Sequence, residues 1–302
     1  MQQKLVYATR KSQLALAQSR AFVASVSRLD PGLVIEELTV QTTGDRVQDR
    51  PLAEIGGKGL FVKEIEEALL ARRADIAVHS MKDVPPELAP GLVIGCIPPR
   101  EDARDVLVSK SGKKLAELPP GARIGTTSLR RRVQLLEQRP DLEIVSLRGN
   151  VDTRLRKCRE GVVDAIVLAR AGLVRLGLSD VPTEVLEPER FLPAVGQGAL
   201  AVELRSGDES VAQLLARVAH TETKLCVLAE RGVLAAVAGD CQTPVAAYAV
   251  RRNSELWLRG LLSEPDGTRV RRRELVAPWP ETDADAEAVG RRLGAELVGA
   301  TA

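Results

Sequence analysis

Apolar and polar positions follow the two-residue strand period over "KLVYAT" and switch to the helical period over "SQLALAQSRAFVASVSRL", where Ser12 stands as an N-cap. Next, "LVIEELTVQTTGD" reads as a strand and turn, "GKGLFVKEIEEALLARR" as a helix, and "ADIAVHSMKDVPPE" as an apolar strand running into a polar loop. This βαβαβ order predicts a mostly parallel sheet covered by helices. It breaks at "CIPPREDARDVLVS", where Pro98 and Pro99 followed by charges mark a crossing between domains, and then restarts. "ARIGTTSLRRRVQLLEQRP" is a strand ending at Thr126 and a helix capped near Ser128; "LEIVSLRGNVDTRLRKCREG" and "DAIVLARAGLVRLG" repeat the arrangement. "FLPAVGQGALAVEL" offers a second Pro/Gly crossing and a strand able to return to the first sheet. From Thr221 the pattern changes to a helix and then three strands, "PVAAYAVRR", "ELWLRGLLSEPDG" and "TRVRRRELVA", turned at Asn253-Ser254 and Pro265-Asp266-Gly267, before a closing helix. The expected fold class is α/β. Two α/β domains (residues 1–98 with 199–216, and residues 104–192) precede an α+β domain with a three-stranded antiparallel sheet over residues 221–302.

At 302 residues and 44% apolar content the chain can build two or three cores. Charged residues interrupt every longer apolar stretch and the N-terminus has no apolar run of signal-peptide length, so a cytoplasmic protein without membrane segments is expected. Cys96, Cys158, Cys226 and Cys241 show no CxxC spacing and should stay as thiols in a reducing compartment. With only His79 and His220 beside them, no metal site is expected. The net charge of +2 hides a concentration of arginine in mid-chain, from Arg130, Arg131 and Arg132 to Arg170 and Arg175. A solvated helix face is the plain explanation of such a run. A nucleic-acid groove would add stacking aromatics, which make up only 2% of the chain; several small carboxylates or phosphates fit better.

Open α/β sheets bind ligands at the carboxyl ends of their strands, where helix N-termini and loops converge. The polar clusters fall there: Thr9-Arg10-Lys11-Ser12, Ser80-Met81-Lys82-Asp83, Thr126-Thr127-Ser128, Arg148-Gly149-Asn150 and Ala171-Gly172. Backbone N–H groups and hydroxyls at helix starts accept an anion, and arginines clamp carboxylates bidentately. Helical residues advance about 100° each, so Arg130 and Arg131 share a face while Arg132 points off it as a structural residue. The thiol in "VAGDCQTPVAAY" is a further anomaly: Gly239, Asp240, Thr243 and Pro244 are turn formers that put Cys241 on a loop, where it can be reached.

Together "AVHSMKDVP", "IGTTSLRRR", "SLRGNVDTRL", "LPAVGQGAL", "GGKGLFVKE" and "GDCQTPVAAYA" resemble the hydroxymethylbilane synthase, or porphobilinogen deaminase, family, from about Thr9 to Tyr248 and more weakly beyond. The resemblance implies three domains, the first two arranged like periplasmic binding proteins with the active site in the cleft between them. It implies stepwise condensation of four porphobilinogen molecules, with loss of ammonia at each step and a final hydrolysis to hydroxymethylbilane. It also implies a monomer whose partner is this small substrate, with no nucleic acid and no membrane. Cys241 would carry a dipyrromethane cofactor through a thioether. Asp83, by the same resemblance, passes a proton to the leaving amine and holds the charge of a cationic intermediate. Lys82 pairs with a substrate carboxylate or tunes Asp83. Arg10, Arg130, Arg131, Arg148, Arg154 and Arg175 match positions that bind cofactor and substrate carboxylates. Ser12, Ser80, Thr126 and Ser128 match hydroxyl contacts, and Asn150 joins the binding set. Lys58 and Phe61 fall on a loop at the cleft mouth, and Gln197 stands at the second crossing as hinge or cofactor contact, with the hinge favoured.

Two positions depart from the family pattern. Gln13 stands where many members have Pro, a change that the first helical turn tolerates. Asp240 replaces a second Gly before the cysteine, and a carboxylate there raises the thiol pKa and slows cofactor attachment. Two rival readings remain in view. A non-catalytic two-lobed binding protein for a small polycarboxylate leaves the loop cysteine without a use, and a nucleic-acid binder conflicts with near-neutral charge and few aromatics.

Overall fold

The computed structural model describes residues 4–46, 62–237 and 243–299. Lys58, Phe61, Asp240 and Cys241 of the expected site lie outside the described residues. The chain divides into two compact units, residues 1–100 with 199–224 and residues 101–198 with 225–302. Among the described residues, no helix is long and apolar enough to cross a membrane.

In the first unit β2 (Val34–Val40), β1 (Lys4–Arg10) and β3 (Ile76–Ser80) run parallel, and β10 (Leu200–Arg205) lies antiparallel between β3 and β4 (Leu92–Cys96). The sheet is thus mixed, where the βαβαβ pattern predicts a mostly parallel one. The crossing chain reaches the sheet at the carboxyl end of β3, since Leu200 pairs with Ser80, and can only run back against it. Strand alternation sorts the core onto two faces. On one, α1 (Gln13–Leu29) buries Phe22, Val23 and Val26 with Leu5, Tyr7, Ile76 and Val78. On the other, α2 (Lys63–Leu70) buries Ile65 and Leu69 with Ala8 and Ala77.

The second unit repeats this strand order. β7 (Glu143–Val145), β6 (Arg123–Gly125) and β8 (Ala165–Ala169) run parallel, and β5 (Asp105–Ser109) lies antiparallel between β8 and β9 (Glu184–Leu186). In both sheets the fourth strand directly follows a crossing, so the organisational likeness of the two halves extends to topology. Helices α3 (Leu129–Gln138), α4 (Val151–Arg159) and α5 (Arg170–Arg175) follow β6, β7 and β8, and later in the chain α6 (Glu209–Ala216) and α7 (Thr221–Ala236) follow β10. The second unit also holds the C-terminal three-stranded antiparallel sheet, β11 (Val245–Arg252), β12 (Glu255–Leu262) and β13 (Arg271–Pro278), turned at Asn253 with φ 55°. Val233, Leu258, Leu293 and Leu297 form its core with α8 (Asp283–Val298), whose N-cap Thr282 and Asp285 make a capping box.

Candidate active site

The first polar cluster grows from the carboxyl ends of β1 and β3. Ser12 Oγ accepts from Ala15 N (3.3 Å), so this hydroxyl caps α1. After Ser80 the chain enters one 3-10 turn, Met81–Asp83, held by Met81 N donating to Ala199 O (3.0 Å) and Val84 N to Met81 O (3.1 Å). Met81 is buried as the anchor of the turn, which leaves Lys82 and Asp83 exposed. Arg10, Gln18, His79, Ser80 and Asp83 line a cavity of about 20 Å³. The fold therefore brings Arg10, Ser80 and Asp83 to one small pocket, while Ser12 and Lys82 are not among its lining residues. An exposed carboxylate beside a cation and a hydroxyl can both bind a charged amine and exchange a proton with it.

The second cluster occupies the equivalent strand ends of the other unit. Ser128 Oγ accepts from Arg131 N (3.4 Å) and caps α3, and Thr126 Oγ1 accepts from Ser128 N (3.1 Å). Asn150 Oδ1 accepts from Thr153 N (2.9 Å) and caps α4. Gly149 precedes it at φ 121°, where a Cβ would also strike the Thr153 side chain. Arg130 and Arg131 are both buried and both reach Asp105: Arg130 Nη1 donates to Oδ2 (2.7 Å) and Arg131 Nη2 to Oδ1 (2.8 Å). Arg130 Nη1 also donates to Leu192 O (2.6 Å) and Arg131 Nη1 to Val167 O (2.9 Å). Arg132 is exposed and lies off that face, beside Glu137 and Asp266.

Gln197 is 1% exposed and donates through Nε2 to Ala103 O (2.7 Å) and Asp105 Oδ1 (2.9 Å). It thus ties the second crossing to the start of β5. Arg175 Nη2 donates to Gly198 O (2.7 Å), which also accepts from Glu101 N (3.2 Å). Gly198 has φ 87°, and a Cβ there would collide with the Glu101 carbonyl. Arg175 and Gln197 therefore brace the two crossings against each other.

Charge is crowded here. Burial alone would raise the Asp105 carboxyl, but Arg130 and Arg131 hold it well below the usual carboxylate range. Arg154, whose Nε donates to Gly149 O (2.8 Å), is pushed down to about 10 by burial and then by the charges of Arg131 and Arg148. Burial lowers Arg175 against the opposing pull of Glu101. Arg131 Nε is buried and has no hydrogen-bond partner among the described residues. Cations that repel one another beside an orphaned donor fit an anionic ligand with several carboxylates. Asp105 was missed by the sequence reading; its only signal is a carboxylate heading the apolar run "VLV". His79 and Glu203 were missed as a pair: Nε2 and Oε2 stand 2.9 Å apart, and both side chains are buried.

Residues 5–213 match the family described as porphobilinogen deaminase, dipyromethane cofactor binding domain, and residues 224–299 match the porphobilinogen deaminase C-terminal domain. The chain belongs to the porphobilinogen deaminase family. A porphobilinogen deaminase from Sorangium cellulosum is 62% identical over 297 residues, covering 98% of this chain and 99% of the relative. One from Nitratidesulfovibrio vulgaris is 53% identical over 296 residues (98% and 93%), and one from Bacillus subtilis 50% over 297 residues (98% and 93%). Among solved structures, an arginine-specific periplasmic binding protein of Salmonella typhimurium is 11% identical with a TM-score of 0.41, covering 72% of this chain and 91% of its own. The methionine binding protein MetQ is 17% identical with a TM-score of 0.43, covering 71% and 88%. As a family member the chain is a transferase of tetrapyrrole synthesis with a dipyrromethane-binding region.

Proposed function

We propose that the chain condenses four porphobilinogen molecules into hydroxymethylbilane, with Asp83 as the acid and Cys241 as the thioether anchor of the dipyrromethane. The observation that carries this reading is a buried Arg154 repelled by Arg131 and Arg148, with the Nε of Arg131 itself buried and without a hydrogen-bond partner among the described residues, in a chain whose family binds a dipyrromethane cofactor. Bound dipyrromethane supplies the nucleophilic pyrrole carbon on which the product grows. Arg131, Arg148 and Arg154 hold its acidic side chains; Arg130 keeps Arg131 and Asp105 in place; Thr126, Ser128 and Asn150 shape the helix starts. Arg10 and Ser80 orient the substrate beside Asp83, with Lys82 exposed next to them, and Asp83 gives the leaving amine its proton. Ser12 serves by presenting the first turn of α1. Arg175 and Gln197 keep the crossings aligned.

Burial at the other cysteines supports the anchor assignment. Cys96, Cys158 and Cys226 are buried and not joined in disulfides, with Cys96 pushed up to about 12 by burial and Cys158 also raised by it. Such thiols are poor nucleophiles and accord with a reducing, cytoplasmic setting. Residues 221–302 are read as a third domain because β11, β12, β13 and α8 share one core, and the enzyme as a monomer. The test is intact mass followed by peptide mapping of purified protein. An adduct of two pyrrole units on Cys241 is expected; an adduct on another cysteine, or active protein without one, overturns the reading.

A further inference from the structure

Behind the pocket that holds Asp83, the first unit buries an ionisable pair, His79 and Glu203. Ala77 of β3 packs with Ile65 and Leu69 of α2, and alternation puts His79 on the same face of the sheet. Glu203 of β10 pairs directly with Ala77, so it shares that face, and His79 Nε2 meets Glu203 Oε2 at 2.9 Å. His79 and Glu203 are 5% and 0% exposed. Glu203 Oε1 is buried and has no hydrogen-bond partner among the described residues. From α2, Glu66 adds a second carboxyl to this environment, pushed up by burial and by the charge of Glu203 against the Ala89 N–H and His79.

Replacing a buried ion pair by apolar residues of similar volume is often neutral or stabilising, so stability alone gives no reason for this pair among Ala8, Ala77, Ile65 and Leu69. Its location gives one. His79 lines the cavity together with Arg10, Ser80 and Asp83, and the turn Met81–Asp83 begins two residues later, at the end of β3. Where His79 is held against β10 decides where that turn begins. We propose that His79 and Glu203 form a positioning pair that fixes the Ser80–Asp83 turn for proton transfer to the substrate. The inference rests on the catalytic reading of Asp83.

Five variants test it in cofactor-loaded enzyme: His79→Gln, Glu203→Gln, the apolar double variant His79→Phe with Glu203→Leu, Asp83→Asn, and His79→Gln combined with Asp83→Asn. The first three should fold and load cofactor, as read by melting and intact mass. Their kcat for porphobilinogen consumption should fall roughly 10- to 100-fold, the scale of a misplaced catalytic group, with KM within about twofold. On top of Asp83→Asn, His79→Gln should cost no further rate, because it acts through Asp83. An apolar pair with full kcat, a loss confined to KM, or multiplicative losses in the combined variant would overturn the proposal. Failure of both the polar and apolar variants to fold would do so too, by making the pair structural. If Asp83→Asn alone kept full rate, the catalytic reading itself would have failed, and that outcome is separate from these.

Discussion

Asp105→Asn probes the electrostatic centre of the second unit. Asp105 is fully buried and accepts from Arg130, Arg131 and Gln197 at 2.7, 2.8 and 2.9 Å. At an effective dielectric of 20, each guanidinium at such a distance attracts the carboxylate by about 6 kcal/mol. Desolvation offsets much of that, and removing one partner of a buried ion pair costs about 3–5 kcal/mol because the other charge is left uncompensated. Here two arginines are left, and burial already depresses Arg130. At about 2–4 °C per kcal/mol for large domains, the melting midpoint at pH 7 should fall by roughly 10 °C. The acid response should change with it. The folded carboxyl of Asp105 is depressed, so its contribution is fully present above the unfolded value of about 3.9 and is lost as pH falls toward the folded one. Melting curves of both proteins at matched cofactor loading, from pH 7 down to pH 3, provide the assay. Between about pH 4 and pH 3 the parent should lose part of its advantage, the remainder persisting to lower pH. A midpoint shift below about 2 °C at pH 7, or parallel acid slopes, would refute the reasoning.

Arg131→Gln should yield protein with little bound dipyrromethane by intact mass, whereas exposed Arg132→Gln should load and turn over within about twofold of the parent; equal losses would make the run a diffuse basic surface. Gly198→Ala should lower the melting midpoint by more than a surface Gly→Ala change does, since φ 87° and the Glu101 carbonyl both oppose a Cβ; an unchanged midpoint would show that the crossing relaxes freely. Native protein treated with a thiol reagent at pH 8 should leave Cys96, Cys158 and Cys226 unlabelled until it unfolds, and rapid labelling of Cys96 would contradict its burial and raised pKa.

What the sequence made legible is local chemistry. Ser12 and Ser128 are readable as helix starts because an N-cap acts on a backbone N–H three residues away, and each does so here, as does Asn150, which was expected only as a binding residue. Arg132 is the exposed member of the run, as expected, while Arg130 and Arg131 are buried together; pitch limits how many of three consecutive residues share a face, and burial decides which. Strand direction was not legible in the same way. β10 and β5 run antiparallel because of where the crossings deliver the chain, and no periodicity within "LAVEL" or "DVLVS" carries that information. β5 and β9 are additions to the predicted strands: one lies in the stretch read as a crossing, the other is three residues long. Asp105 and the His79–Glu203 pair escaped because their partners are remote, 25 and 26 residues away for the arginines and 124 for the histidine. A lone carboxylate in an apolar strand gains meaning only when the sheet register supplies its neighbour.

The chemistry assigned to Asp83 is tested most directly by single-turnover ammonia release on cofactor-loaded Asp83→Asn. Asparagine keeps nearly the same volume in the exposed turn and can still accept a hydrogen bond, but it cannot carry a proton to the leaving amine or offset positive charge. Preloading with dipyrromethane, checked by intact mass, removes any failure of cofactor attachment from the readout. Substrate binding and melting should stay close to the parent while ammonia release slows by roughly 10²–10⁴-fold or more, the range of positioned proton transfer. Release within a few-fold of the parent would contradict the assignment, leave Asp83 as a turn residue, and move the search for the acid to another carboxylate.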